Sequence, residues 1–202
     1  VLITDEDTAV DIDLLARVTD PDNDVVTVQN VSASNGSVVI NTDQTVTYTP
    51  FANFNGTDQI TYTVKDELGA TFTRTEQITI NAVNDVPVAP SNPISLSNGT
   101  EDQPYILQAS DLLQGFSDVD GDSLSVINLS SSSGFLQDNQ NGTYTLTSAA
   151  NFNGTINLNY QVSDGKGGVV DASNSVLIQA VNDLPVAPSN PISLSNGTED
   201  QP

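Results

Sequence analysis

Apolar and polar residues alternate with a period of two along much of the chain. Val46 and Tyr48 fall on one side of a run whose other side carries Thr45, Thr47 and Thr49, and Ile60, Tyr62 and Val64 alternate with Thr61 and Thr63. Successive residues of a strand point to opposite faces, so this pattern predicts half-buried β-strands. Threonine, valine and tyrosine suit such a pleated surface. Asn-Gly pairs at 35–36, 55–56, 141–142 and 153–154 predict turns. In the first part of the chain the pattern gives seven strands, at about 1–4, 8–15, 25–31, 37–41, 45–49, 59–65 and 70–82. A turn near Leu112–Leu113 is the single helical signal. The expected fold class is all-β: tandem seven-stranded antiparallel β-sandwiches, end to end.

The second half of the chain restates the first. Residues 83–104 read VNDVPVAPSNPISLSNGTEDQP and residues 181–202 read VNDLPVAPSNPISLSNGTEDQP, 98 positions on, with Val86 against Leu184 the single difference. ANFNGT at 52–57 matches 150–155, TYTVKD at 61–66 matches NYQVSD at 159–164, and TDPDND at 19–24 matches SDVDGD at 117–122. Glu6-Asp7 matches Glu101-Asp102, with about three extra residues following in the second copy. A spacing near one hundred residues is that of one immunoglobulin-like sandwich. The expected domains are 1–84, a first repeat with an incomplete N-terminal end; 85–182, a second repeat; and 183–202, the truncated start of a third. Pro87, Pro90 and Pro93 between the copies fix φ and predict a short stiff connector.

Strands that run alternately up and down place their loops alternately at two ends. Loops 20–24 and 66–69 then share one end, while the turn holding Glu6, the loop at 50–57 and the exit at 83–85 share the other. In the second repeat the loops at 118–122 and 164–168 face back toward the first. The junction so formed gathers Glu6, Asn84, Asp85, Asp118, Asp120 and Asp164, with Asp122, Asn81 and Asn53 as possible extras. Asp5, Asp7, Asp43, Asp58 and Asp138 read as plain surface.

Composition decides what such a cluster can do. There are 26 acidic and 4 basic residues, for a net charge of -22, and no cysteine, histidine, methionine or tryptophan. That surface repels nucleic-acid phosphates and anionic headgroups. Without imidazole or thiolate, zinc, copper and haem lack their usual ligands, and a carboxylate-rich chain favours hard cations. Like charges 4 Å apart repel by roughly 1 kcal/mol even in water. Calcium accepts six to eight oxygens in tolerant geometry, whereas magnesium demands a stricter octahedron. The expected cofactor is therefore Ca2+, several ions, mainly at the inter-domain junction. The loops are not EF-hands: DVDGDSL has Gly121 in its fourth rather than sixth place, and Leu129 stands where a bidentate glutamate belongs. No apolar run is long enough to span a bilayer.

VNDxP at the repeat exit, the early Glu-Asp pair, the DxD loop and the aspartate after the YxV strand resemble cadherin-like repeats. Over essentially the whole chain, the phrases NFNGT, YTVKD and VNDVP most resemble the bacterial cadherin-like tandem repeats of giant type-I-secreted RTX adhesins. The resemblance implies inter-domain calcium ligands at Glu6, Asn84, Asp85, Asp118, Asp120 and Asp164, the set that strand parity reaches separately. It also implies two incomplete sites: Asp20, Asp22 and Asp66 toward a preceding domain, and Glu101, Asn182 and Asp183 toward a third repeat. The connector is less acidic than that of cadherins, and the acid-rich motif between the fifth and sixth strands has no clear counterpart beyond Asn53.

These readings lead to a calcium-rigidified extender of a bacterial cell-surface adhesin, extracellular, and outer-membrane anchored in the full-length protein. Its expected partners are neighbouring repeats of the same chain, with no nucleic acid and no membrane insertion, and a monomer is expected. The alternative is an adhesive module that binds a glycan, another cell or itself. Catalysis is not expected, because the acids cluster at a joint without a basic or aromatic substrate cleft.

Overall fold

The computed structural model describes residues 1–187. Two sandwich-like domains follow one another along the chain, each with seven strands in two sheets. By contacts the chain divides into two compact units. The first holds residues 1–89 with 116–124 and 163–170; the second holds, among the described residues, 90–115, 125–162 and 171–187. The loops 116–124 and 163–170 of the second sequence copy thus belong to the first unit. Of the expected third repeat, 188–202 lies outside the described residues.

The first domain comprises β1 (Leu2–Asp5), β2 (Val10–Ile12), a 3-10 turn (Leu15–Arg17), β3 (Thr27–Ala33), β4 (Gly36–Ile40), β5 (Val46–Pro50), β6 (Gly56–Lys65) and β7 (Thr71–Asn81). One sheet has the order β1-β7-β6-β3 and the other β2-β5-β4. Pairing is antiparallel except at one edge, where β1 runs parallel to β7 from Leu2↔Ile78 to Asp5↔Asn81. Strand directions still alternate along the chain. The turn after β1, the loop before β6 and the exit from β7 therefore meet at one end. Inward residues of both sheets, among them Val46, Tyr48, Ile60, Tyr62 and Ile78, form the core and are at most 2% exposed. Each such side chain contributes about 1.5–3 kcal/mol on burial.

The expected strand at 8–15 is shorter than the alternation suggests. Asp13 Oδ1 accepts the backbone N–H groups of Leu15 and Ala16, both at 3.0 Å, and this capping turns the chain into the 3-10 turn. The deeper correction concerns Asp58, which reads as surface from sequence. It is 2% exposed, and its carboxylate accepts the N–H of Ser34 (3.2 Å), Asn35 (2.9 Å) and Gln59 (2.7 Å) and the Tyr48 hydroxyl (2.9 Å). Burial alone would raise its pKa, yet these donors together hold it below the ordinary carboxylate value. Burial and the Asp58 charge push the Tyr48 phenol up. A Cβ on Gly36 would lie 2.5 Å from Tyr48 Cε2, so only glycine lets the ring reach Asp58.

The second domain comprises β8 (Gly99–Thr100), β9 (Tyr105–Gln108), the single helical turn α1 (Ala109–Leu112), β10 (Ser125–Ser131), β11 (Phe135–Asp138), β12 (Thr143–Thr147), β13 (Gly154–Ser163) and β14 (Val169–Gln179). Its sheets have the orders β10-β13-β14-β8 and β11-β12-β9, again with a parallel edge pair, β8 to β14. Here the core positions that correspond to Tyr48 and Asp58 hold Leu146 and Ile156, 1% and 0% exposed. The two copies thus solve one interior position differently, one with a satisfied polar pair and the other with aliphatic contact.

Candidate metal centre

The first unit builds its acidic site on loops that the strands leave at their ends. Between β1 and β2 the chain turns through Glu6, which is 3% exposed. Its backbone N–H meets Asn81 O at 3.0 Å, so it continues the β1–β7 edge by one residue. One carboxylate oxygen accepts Val83 N–H at 2.6 Å and the other accepts Asn55 Nδ2 at 3.1 Å. A buried glutamate so held is fixed in position by the strand edge, the exit segment and the loop before β6. Asp7, expected as plain surface, adopts a left-handed conformation (φ 55°) and accepts Asn53 N–H at 3.0 Å. Its charge also bears on Asp85, so it belongs to the electrostatics of this end.

The segment after β7 carries the next two residues. Asn84 donates its side-chain amide to Asp164 Oδ2 at 2.7 Å, and Asp85 donates its backbone N–H to Asp120 Oδ2 at 2.8 Å. Asp118 Oδ1 closes its own loop by accepting the N–H groups of Asp120 (3.0 Å) and Asp122 (3.2 Å). Asp164, 4% exposed, does the same for Lys166 (2.7 Å) and Gly168 (3.0 Å). Hydrogen bonding from Asn84 first, and then these backbone donors, lowers the Asp164 pKa against the opposing effect of burial. The sequence-derived residues Asn84, Asp85, Asp118, Asp120 and Asp164 therefore sit within one body, bonded pairwise.

Loop closure uses one oxygen of Asp118 and leaves the other. Asp85 Oδ2, Asp118 Oδ2 and Asp122 Oδ2 are buried and have no hydrogen-bond partner. Asp118, Asp120 and Asp122 present carboxylate oxygens that all lie within 4.8 Å of one another, the one such group of three among the described residues. Asp122 also meets Lys166 Nζ at 3.2 Å. Burial, and then the charges of Asp120, Asp7, Glu6 and Asp118, push the Asp85 carboxyl above its ordinary pKa. A raised acid pKa means that the ionised form is disfavoured in the folded chain; the penalty is present at neutral pH and is relieved as pH falls through the raised value. Orphaned buried carboxylate oxygens with a mutual repulsion are the donor set a hard divalent cation satisfies. The residues present fit calcium, with Asp85, Asp118, Asp120 and Asp122 nearest the unsatisfied oxygens. Sequence reading left Asp122 as an extra; the regular spacing of acids in DVDGD is the signal that points to it.

The other expected ligands repeat parts of this geometry. Asp20 Oδ1 accepts the N–H of Asp22 (2.8 Å) and Asp24 (3.3 Å), and Asp66 Oδ1 accepts Gly69 (2.6 Å) and Ala70 (2.8 Å). In the second unit Glu101, 4% exposed, accepts Val181 N–H at 2.5 Å and Asn153 Nδ2 at 3.2 Å, a copy of the Glu6 arrangement. Asn182 folds its amide onto Asp183 O at 3.3 Å, and Asp183 is exposed. Neither set gathers three acids in the manner of Asp118, Asp120 and Asp122.

A sequence profile for the family described as "Cadherin-like domain" matches residues 1–81 and again 83–179. No curated protein matches the chain in sequence. Among solved structures, the human mucin-like protocadherin EC1-2 is similar at 14% identity, with 89% of this chain and 95% of that one covered and a TM-score of 0.46. Human protocadherin-24 EC1-2 is similar at 15% identity over 81% of this chain and 85% of that one, also at 0.46. An endo-fucoidan hydrolase of glycoside hydrolase family 107 matches at 22% identity over 80% of this chain, with a TM-score of 0.33. This chain spans only 24% of that enzyme's length.

Proposed function

The chain belongs to the cadherin-like domain family, and from that premise we propose that it is a calcium-rigidified extender segment of a bacterial type-I-secreted cell-surface adhesin. Domains of this family are extracellular and non-catalytic and serve adhesion or structure. Among the described residues no helix is long and apolar enough to cross a membrane. The bacterial reading is supported by the phrases NFNGT, YTVKD and VNDVP and by the near-verbatim repetition of the connector. The partners in this reading are neighbouring repeats of the same chain, and the full-length protein is held at the outer membrane.

The observation that carries the proposal is the trio of buried, partnerless oxygens on Asp85, Asp118 and Asp122. They come from the segment after β7 and from the 118–122 loop, which are far apart in sequence and adjacent in the first unit. Asp85, Asp118, Asp120 and Asp122 would hold the ion, which would supply the positive charge that offsets their repulsion and would tie the segment to the loop. Weak binding suffices where calcium is millimolar, because the stabilisation follows the ratio of free ion to Kd.

Small-angle scattering during a calcium titration tests this reading. The maximum dimension is expected to grow and the spread of conformations to narrow as calcium is added. Asp120→Ala is expected to weaken both changes, since it removes the oxygen that holds Asp85 N–H and one acid of the cluster. A variant that stiffens with calcium just as the parent does would overturn the assignment of the site.

A further inference from the structure

Asparagine followed by glycine is chemically labile, and the fold treats its Asn-Gly pairs differently. Five fall among the described residues, at 35–36, 55–56, 98–99, 141–142 and 153–154; the pair at 196–197 lies outside them. Reaction requires the glycine nitrogen to reach the asparagine Cγ, so it needs a free N–H, a movable side-chain amide and a backbone able to turn. Four pairs lack these. Gly36, Gly56, Gly99 and Gly154 are residues of β4, β6, β8 and β13. Asn35 Nδ2 donates to Asp58 at 3.4 Å, Asn55 Nδ2 to Glu6 at 3.1 Å, and Asn153 Nδ2 to Glu101 at 3.2 Å. Gly99 is buried, and a Cβ on it would stand 2.6 Å from Ile178 Cδ1.

Asn141-Gly142 is the exception. It lies in the exposed turn between β11 and β12, with Gly142 at φ 82° and nothing within 4 Å of the place its Cβ would take. Among the described residues, neither Asn141 Nδ2 nor Gly142 N–H finds a hydrogen-bond partner. Asn141 Oδ1, in contrast, accepts the Thr143 N–H at 3.1 Å and the Thr143 hydroxyl at 2.7 Å. These donors face the oxygen that gains negative charge when a nitrogen adds to Cγ. The first copy shows the same turn with an acid in place. Asp43, Gln44 and Thr45 stand where the second copy has Asn141, Gly142 and Thr143. Asp43 Oδ1 accepts the Thr45 N–H at 3.1 Å and the Thr45 hydroxyl at 2.7 Å, the same two bonds. The hydroxyl first, and then the N–H, hold the Asp43 carboxyl below its ordinary pKa. There Gln44 N–H is tied to Asn41 O at 3.1 Å.

We propose that Asn141 is a site of spontaneous deamidation, where the folded chain converts asparagine to aspartate and the turn accepts the product as it accepts Asp43. Gly142 N attacks Asn141 Cγ and the N–Cγ bond forms. The Cγ–Nδ2 bond breaks, and Nδ2 leaves as ammonia with the proton from Gly142 N. Water then opens the cyclic imide. Opening at Cγ gives aspartate; opening at the backbone carbonyl gives isoaspartate, which puts an extra carbon into the turn. The balance is one water taken up, one ammonia released and one negative charge gained. The chemistry stands apart from the calcium reading, since none of its groups belongs to the acidic site.

For the test, the full chain is aged at mildly alkaline pH in calcium, digested with pepsin in acid, and mapped by electron-transfer mass spectrometry, which separates the two isomers. Conversion at Asn141 is expected to run at least about tenfold faster than at Asn35, Asn55, Asn98 or Asn153, because strand-held pairs react only through local opening. In urea above the unfolding transition the five rates are expected to converge, which shows that the fold and not the dipeptide makes the choice. Asn141→Asp is expected to melt within a few degrees of the parent, as a surface change that keeps both Thr143 bonds. Equal rates at the five sites in the folded chain, faster conversion at one of the other four, or a lead for Asn141 that persists unchanged in urea would overturn the site. A melting temperature of Asn141→Asp far below the parent's would overturn the accepted product.

Discussion

Chelating calcium with EGTA is expected to lower the melting temperature of the chain by roughly 10–20 °C relative to millimolar calcium. One site at a free ion concentration a hundredfold above Kd adds about 2.7 kcal/mol. For a domain of this size each kcal/mol is worth roughly 4–8 °C. The mechanism also fixes how a variant should behave. Asp118→Asn keeps an oxygen for the N–H groups of Asp120 and Asp122 but removes one of the charges that bear on Asp85. In EGTA this variant should melt no lower than the parent, and in calcium it should gain much less. A purely structural aspartate would give the reverse, a deficit in both conditions. Differential scanning calorimetry in calcium, magnesium and EGTA reads all of these, with magnesium expected to stabilise less because it demands octahedral geometry.

The second large effect lies in the core of the first domain. Asp58→Ala strips the partner from three backbone N–H groups and the Tyr48 hydroxyl at once, and is expected to cost about 3–4 kcal/mol. The second copy shows the alternative solution. There Ser132, which stands at the place of Ser34, gives its N–H to Asn157 O at 2.8 Å, and Leu146 and Ile156 fill the interior. The pair Tyr48→Leu with Asp58→Ile should therefore be less destabilised than Asp58→Ala, though still below the parent because Asn35 N–H loses its acceptor. The pH dependence has a definite sign. Asp58 has a folded pKa below its ordinary value, so its contribution is fully present above that value and fades as pH falls through the lower one. The gap between parent and Asp58→Ala, measured by urea unfolding, should be wide at neutral pH and narrow in strong acid.

Asp58 also marks what the sequence reveals and what it hides. The period-two alternation places every strand of the first domain to within a few residues, because the inward and outward faces of each sheet differ in polarity. The same alternation puts Asp58 on the inward side of β6, in step with Ile60, Tyr62 and Val64, and opposite Ile156 in the second copy. Residue type alone says surface; parity and the repeat say interior. What neither reveals is the compensating set of donors, which depends on Gly36 admitting the Tyr48 ring and on a turn two strands away. The shortened β2 has a similar origin, since Asp13 captures the N–H of Leu15, which the apolar pattern assigns to a strand, together with that of Ala16.

The acidic site was legible as a list of residues because strand parity assigns loops to ends, and Asn84, Asp85, Asp118, Asp120 and Asp164 do sit together in one unit. Its division of labour was not. One oxygen of Asp118 builds the loop and the other is left without a partner, a distinction set by side-chain rotamer and by the position of two successive N–H groups. Asp7 enters through charge alone, at a range that no motif records.

A crystal of the chain grown in calcium measures the central claim most directly. Anomalous density is expected beside Asp85, Asp118 and Asp122, with their presently unpartnered oxygens at about 2.3–2.6 Å from the ion. Density absent there at millimolar calcium, with those oxygens bonded instead to water or to protein donors, would contradict it.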